Sequence, residues 1–207
     1  KKGKKLAGMS FNVKNAPLQK NSVFRKMFFM QGRELQNVSK AGYAFSYLPA
    51  ESRSDTSWLV GGSTGWLREI IEKHPHPIDF PTKWAVCEDL IFSYPLSKFY
   101  RMTVAVDAFV EHNETYGTMP FKKSMFYGLS QVIMRYHFVC RNNDLSKSAF
   151  IWMNVGQLAA YLINSTFGSK RYLGFFVGGL IGLTSCVGGM LVKRSSKQMA
   201  INLFKKN

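Results

Sequence analysis

Cysteine is scarce in this sequence, and so is any pairing of cysteines. The three thiols, Cys87, Cys140 and Cys186, are odd in number and far apart, and no CxxC pair occurs. This pattern argues against a disulfide framework and against a structural zinc site. It favours reduced thiols in a cytosolic compartment.

Acidic residues are also few. The 207 residues include 12 Asp and Glu against 28 Lys and Arg, which gives a formal net charge of +16. Such an excess suits an anionic partner: nucleic acid, an acidic membrane surface or a phosphate-bearing substrate. The sign of the charge does not choose among these partners. Hydrophobic residues make up 46% of the chain, which is enough for a core and argues against wholesale disorder.

A strand, a glycine-rich loop and a short helix are predicted in succession near the middle of the chain. Residues 56–60 have the composition of a strand, residues 61–65 (Gly-Gly-Ser-Thr-Gly) form the loop, and residues 66–73 suit a helix. This order brings backbone amides close to a ligand. The loop matches neither a Walker nor a dinucleotide fingerprint, and a tight turn that needs positive φ is the alternative.

Two adjacent carboxylates, Glu88 and Asp89, stand directly before an apolar run that predicts a helix from Leu90 to Ser97. We predict that Asp89 is the N-cap of this helix, because its side chain is able to accept hydrogen bonds from first-turn amides. A carboxylate that faces a pocket from a helix start is also suited to act as a general base. The alternative is a capping pair without chemistry.

Further segments complete the expected order of elements. Strands are predicted at residues 6–11, 44–48 and 100–106, and a helix at 16–38. Long apolar helices are predicted at residues 124–142, 149–167 and 174–192. The last of these is uncharged, contains six glycines and has basic flanks, which makes it a marginal transmembrane candidate. A basic amphipathic helix on an anionic membrane surface is the alternative, so we expect membrane association and leave spanning open.

The glycine loop, the Cys87-Glu88-Asp89 motif and His112 follow one another in this order. Together with the strands around them, they resemble the second half of the catalytic domain of family 2 glycosyltransferases, which have the GT-A fold. The segments 135–138 and 141–142, with the helix after them, are similar to the region that follows the catalytic domain in rhamnosyltransferase-like members. The likeness covers roughly residues 6–192.

The resemblance implies a role for each matching residue. Asp89 would take the proton from the acceptor hydroxyl in an inverting transfer, and Glu88 would hold the acceptor or orient the loop. His112 would complete the coordination of Mg²⁺ or Mn²⁺ on the donor diphosphate, although a lone surface histidine is the commoner situation. The residues implied to line the substrate cleft are Gly61, Gly62, Ser63, Thr64, Gly65 and Trp66, of which Trp66 would stack on a sugar ring.

The sequence departs from the family in one respect, since no Asp-x-Asp metal motif occurs in it. The chain begins at Lys1 and its first methionine is Met9. We therefore expect these residues to be the later part of a longer protein, and we expect this chain to lack the donor-binding N-terminal half. We expect no sugar transfer from this polypeptide alone.

The expected architecture is α/β, with the acceptor half of a GT-A domain in residues 1–120 and a basic, α-helical, membrane-associated tail in residues 121–207. The predicted function is transfer of a sugar from a nucleotide-sugar donor to a glycan or lipid-linked acceptor, in cell-surface polysaccharide synthesis at the cytoplasmic face of the membrane. The alternative is a non-catalytic basic membrane-associated protein. A nucleic-acid-binding module is a third class, but no recognisable binding motif supports it and the basic residues form no dense stripe.

Overall fold

A mixed three-stranded sheet followed by three long helices forms the mixed α/β fold of this chain, in a computed structural model. The structure describes residues 3–15, 22–31, 37–45, 48–78, 80, 82, 86–111, 119–192 and 198.

The sheet has the strand order β2-β1-β3, with β1 (Leu6–Val13) in the centre. The short strand β2 (Thr64–Trp66) pairs with β1 in the antiparallel direction, and the long strand β3 (Arg101–Val110) pairs with it in the parallel direction. The first half of β3 is buried from Met102 to Ala105, as the β-branched and apolar residues there favour. The predicted strands at 6–11 and 100–106 are confirmed, and each extends further towards its C-terminal end.

Six α-helices lie in the described residues, and the last three are long. In chain order they are α1 (Val23–Met27), α2 (Arg68–Lys73), α3 (Glu88–Ser97), α4 (Phe121–Arg141), α5 (Lys147–Phe167) and α6 (Lys170–Leu191). The three predicted C-terminal helices are confirmed, but each begins a few residues before its apolar run. The side chains of Ser146 and Ser169 accept hydrogen bonds from the first-turn amides of α5 and α6, so polar caps set these starts.

Two predictions in the N-terminal half are wrong. Residues 56–60 form no strand, because the Thr56 hydroxyl bonds the carbonyl (2.8 Å) and the amide (3.3 Å) of Trp58 and so closes a local turn. The predicted helix at 16–38 is reduced to the five residues of α1 within the described segments, while residues 16–21 and 32–36 lie outside them. The predicted strand at 44–48 shows a single bridge between Val38 and Ala44, and residues 46–47 lie outside the described segments.

Helix α4 joins the sheet to the C-terminal helices. Met134 and Phe138 of α4 pack with Leu90 of α3 and Val104 of β3 in one apolar core. Other α4 residues, among them Ile133, pack in a second core with α5, α6 and the segment around Phe28. A boundary near residue 120 therefore separates two groups of elements but not two independent cores.

Helices α4 and α6 are in very close contact along a face of glycines. Gly174, Gly178 and Gly182 are four residues apart and lie on one side of α6, against α4. A Cβ atom added to Gly178 would lie 1.8 Å from the carbonyl oxygen of Met125, so only glycine fits there. Small residues spaced in this way let two helix backbones approach closely.

We predict opposite effects for alanine at two glycines of α6. Gly178→Ala should lower the free energy of unfolding by about 1–3 kcal/mol or more, because the new methyl group collides with the α4 backbone. Gly188→Ala should leave stability unchanged or raise it by up to about 1 kcal/mol, since nothing lies within 4 Å of a Cβ there and alanine favours helix. Chemical denaturation of the two variants beside the wild type measures both effects, and equal stabilities would contradict the packing described.

Candidate functional site

The glycine loop and the carboxylate pair lie in direct contact, although 28 residues separate Gly61 from Asp89 in the sequence. The Gly61 amide donates a hydrogen bond of 3.2 Å to Oδ2 of Asp89. A Cβ atom on Gly61 would lie 3.4 Å from the Asp89 Cβ. The fold therefore brings two of the motifs singled out in the sequence to one place.

The loop itself is a short 3₁₀ turn, Gly61–Ser63, that leads into β2. Among the described glycines only Gly3 and Gly42 have positive φ, so the explanation of the loop glycines as a positive-φ turn is wrong. Gly61, Gly62 and Gly65 are instead solvent-exposed. The lack of side chains at these positions leaves the loop backbone accessible, although the Gly61 amide is already bonded to Asp89 and Gly65 pairs with Met9 of β1.

The sequence predicted that Asp89 is the N-cap of α3, and this prediction is wrong. The cap position is Cys87, whose φ of 68° places it in the left-handed region, and Glu88 is the first helical residue. Asp89 belongs to the first turn, where Oδ1 accepts a 2.8 Å hydrogen bond from the Leu90 amide. The left-handed residue turns the chain immediately before the carboxylates, and such a conformation is uncommon for a residue other than glycine.

Buried hydroxyl groups fix the loop and the helix relative to the sheet. Ser93 of α3 donates to the Asp89 carbonyl (2.6 Å) and accepts from the Leu59 amide (3.1 Å), so one side chain joins α3 to the segment before the loop. Ser10 of β1 lies 3.3 Å from the Ser63 hydroxyl on the other side of the loop. Because these residues are fully or almost fully buried, the geometry around Asp89 depends on the core and not on surface side chains.

Burial raises the pKa of Asp89 above the usual value for aspartate, and the neighbouring Glu88 carboxylate raises it further. The hydrogen bonds from the Leu90 and Gly61 amides act in the opposite direction, but they do not cancel the effect of burial. A carboxylate with a raised pKa is a stronger base than an ordinary one, provided that it is ionised at the working pH.

The two other residues that the sequence predicted beside the loop behave differently. The Glu88 side chain is exposed and makes no hydrogen bond or ion pair with any described residue. Trp66 is half-buried, and its ring meets Phe92 of α3 edge-on, with 4.9 Å between ring centroids. Trp66 therefore contributes to the core beneath the loop as well as to the surface.

The predicted metal ligand His112 lies outside the described residues. Within the segments that the structure describes, no group of three or more His, Cys, Asp or Glu side chains has an arrangement that holds a metal ion. Asp89 already accepts two backbone hydrogen bonds through its two oxygens. The metal prediction thus depends on His112 and stays a prediction.

A buried arginine behind the cap of α3 was not given a role by the sequence alone. Arg135 lies in the middle of α4 with 5% of its surface exposed. Burial raises the pKa of the Cys87 thiol, and the positive charge of Arg135 acts in the opposite direction on that pKa. Nη1 donates to the side-chain oxygen of Gln157 (3.0 Å), and the guanidinium lies over the ring of Tyr43 at 5.1 Å. Its Nε has no partner in the described part of the chain. The signal in the sequence was an arginine in the middle of the apolar part of a predicted helix.

Two cavities lie elsewhere in the molecule. One of about 870 Å³ is lined by residues that include Lys26, Lys40 and Lys98, and one of about 470 Å³ lies between His74 and α3. Neither is lined by Asp89 or by the glycine loop.

Comparison of the chain with protein-family models, curated proteins and solved structures finds no match.

We predict that Asp89 makes the protein less stable as the pH rises through the pKa of this group. With the folded-state pKa raised above the unfolded value of about 3.9, the native state binds more protons between the two values, so the free energy of unfolding falls as the pH rises. The unfolding free energy of the wild type minus that of Asp89→Asn should therefore fall from pH 4 upwards.

Denaturant titrations of both proteins at several pH values measure this difference. Asp107→Asn, which removes an exposed carboxylate of β3, is the matched control for the loss of one negative charge. A wild-type advantage that grows with pH would mean that the two backbone hydrogen bonds outweigh burial.

Proposed function

We propose that this chain carries the acceptor side of an inverting glycosyltransferase site with Asp89 as the base. The observation that supports this best is the contact between the exposed glycine loop and the Asp89 carboxylate, because both motifs are needed at one site in such an enzyme.

The chemistry assigns one step to this carboxylate. Asp89 accepts the proton of the acceptor hydroxyl while that oxygen forms a bond to the anomeric carbon of the donor. The bond from this carbon to the nucleoside diphosphate breaks, and the leaving group takes the electron pair. A hydroxyl is a poor nucleophile until a base accepts its proton, and the raised pKa of Asp89 suits it to that task.

The surrounding residues have roles in binding. The amides and carbonyls of the exposed loop would line the cleft, and the exposed Glu88 carboxylate is available to accept hydrogen bonds from acceptor hydroxyls. Holding the acceptor in line with the leaving group removes part of the entropic barrier. A Mg²⁺ or Mn²⁺ ion would neutralise charge on the leaving diphosphate, and His112 is the residue of this sequence proposed to hold it.

The membrane is the proposed place of action. Helix α6 is, among the described residues, long and apolar enough to cross a membrane by length and composition. Its sequence flanks are basic, as expected for contact with an anionic cytoplasmic surface. A nucleotide-sugar donor and a glycan or lipid-linked acceptor are the substrate classes that fit this location.

A second candidate is a non-catalytic, basic membrane-associated protein. The observation that favours it is that both Asp89 oxygens already accept backbone hydrogen bonds, from Gly61 and Leu90. In that case the carboxylate is a clip that fixes the loop to α3. The two candidates differ in what happens to turnover when the negative charge is removed.

We predict that Asp89→Asn lowers sugar transfer by a factor of about 10² or more, because an amide cannot accept the hydroxyl proton. The assay uses the full-length open reading frame in membranes, nucleotide sugars as donors, and Mg²⁺ or Mn²⁺. Asp107→Asn is the matched control and should retain wild-type turnover. Donor binding should be retained in both variants.

The pH profile gives an independent readout of the same assignment. Since burial raises the Asp89 pKa, the acidic limb of kcat/KM should have its midpoint above the ordinary aspartate value of about 3.9. Full turnover by a folded Asp89→Asn protein would return this carboxylate to the role of a clip and leave the second candidate.

A further inference from the structure

One end of the three-helix bundle exposes large apolar side chains. This distal end consists of the first turn of α4, the last turns of α5 and the first turns of α6. Phe167 is 89% exposed and Ile163 56%, while Phe121, Leu162 and Leu173 are each more than 40% exposed. Aromatic and aliphatic side chains exposed together mark an interaction surface.

Packing places these segments at one end of the bundle. The Cβ position of Gly174 lies 2.7 Å from the Phe121 carbonyl oxygen, so α4 and α6 begin side by side. Helix α5 runs towards the same end, since Gly168 and Ser169 alone separate it from α6. Met134 of α4 packs on the sheet, and Phe121 lies 13 residues before it on the same helix. At about 1.5 Å per residue, the distal end therefore lies about 20 Å from the sheet contact.

In the part of the distal end that the structure describes, every charged side chain is basic. Lys122 and Lys123 follow Phe121, and Lys170 and Arg171 begin α6. From Thr115 to the last residue the sequence contains a single acidic residue, Asp144. Asp144 lies in the turn between α4 and α5, at the opposite end of the bundle, where Tyr94 of α3 and Lys98, the residue after α3, donate hydrogen bonds to it.

The polar side chains at the end of α5 need no partner outside the helix. Asn164 donates to the Ala160 carbonyl, Ser165 to that of Leu162 and Thr166 to that of Ile163, each at 2.7 Å. Such internal hydrogen bonds reduce the free-energy cost of moving these groups out of water.

Protein covers part of the bundle beyond the distal end, which limits how much of it is free to enter a bilayer, although Trp152, Leu180 and Leu191 there are themselves 45%, 43% and 81% exposed. The Trp152 ring of α5 stacks on Phe28 at 4.8 Å, and its Nε1 donates to the Met27 carbonyl. Leu183 and Cys186 of α6 are buried in the core that contains Phe28. The free ends of α5 and α6 are thus about 15–20 Å long, which is short of the ~30 Å hydrocarbon core.

We propose that the distal end of the bundle inserts end-on into one leaflet of an anionic lipid bilayer, with the phenylalanines at the acyl boundary and the four basic residues at the lipid headgroups. Neither α6 nor the bundle crosses the membrane in this arrangement. The inference specifies the membrane partner of the proposed function. Because vesicle binding needs no sugar transfer, the two proposals fail separately, and Asp89→Asn should bind vesicles as the wild type does.

The test is sedimentation of the purified full chain with vesicles of phosphatidylglycerol and phosphatidylcholine, compared with phosphatidylcholine alone. Wild-type protein should bind the anionic vesicles and dissociate as salt is raised, because the basic residues contribute through screened electrostatics. Phe167→Glu should reduce binding at least tenfold. Ile78→Glu is the matched control, since Ile78 is 94% exposed but lies outside the bundle, and its binding should equal that of the wild type.

Depth and sidedness are measured with an environment-sensitive fluorophore on Phe167→Cys in a protein whose exposed Cys140 is replaced by serine. The label should be shielded from water by vesicles, and an equivalent label at Ile78→Cys should not be. Equal loss of binding in the Phe167→Glu and Ile78→Glu proteins would overturn the proposal. In a second measurement the quencher is trapped inside the vesicles and none is added outside. Quenching of the label at position 167 would then show that the protein spans the bilayer, and this result would also overturn the proposal.

Discussion

The contact between the glycine face of α6 and α4 is the constraint on which the C-terminal half depends. Because backbone meets backbone at Gly178, the two helices have one relative position and almost no freedom to slide. This contact holds α4 in place while its other side packs on the sheet through Met134 and Phe138. Helix α4 is therefore both a wall of the bundle and the support on which α3 and its carboxylates lie.

The candidate site depends on that support in a direct way. Asp89 occupies a first-turn position on α3, Leu90 behind it is buried against α4, and Ser93 joins the same helix to the segment before the glycine loop. Burial of the carboxylate and its two backbone hydrogen bonds have opposite effects on its pKa, and burial is the larger. A site of this kind combines a basic carboxylate with a rigid, exposed backbone, which are the properties that transfer to a hydroxyl requires.

The proposed membrane contact explains why a marginal hydrophobic segment occurs in a helix that is partly buried. Gly174, Gly178 and Gly182 of α6 pack against α4, while its other apolar residues are in part buried in the core and in part exposed, both at the distal end and further along the helix. Helix α6 is long and apolar enough to cross a membrane by length and composition. Part of this apolar character serves packing against α4.

The sequence by itself predicted the strands at 6–11 and 100–106 and the three long helices, because hydrophobic periodicity is a local property. It did not predict that Thr56 forms a turn, that Cys87 caps α3, or that Gly61 needs no positive φ. The Thr56 turn depends on a local bond to Trp58 that the strand-like composition of this segment did not reveal, whereas tertiary structure decided the angle at which the chain enters α3 at Cys87 and the path of the loop at Gly61. The approach of Gly61 to Asp89 and the covering of Trp152 by Phe28 are of the same kind: contacts across the fold, which no local pattern records, set them.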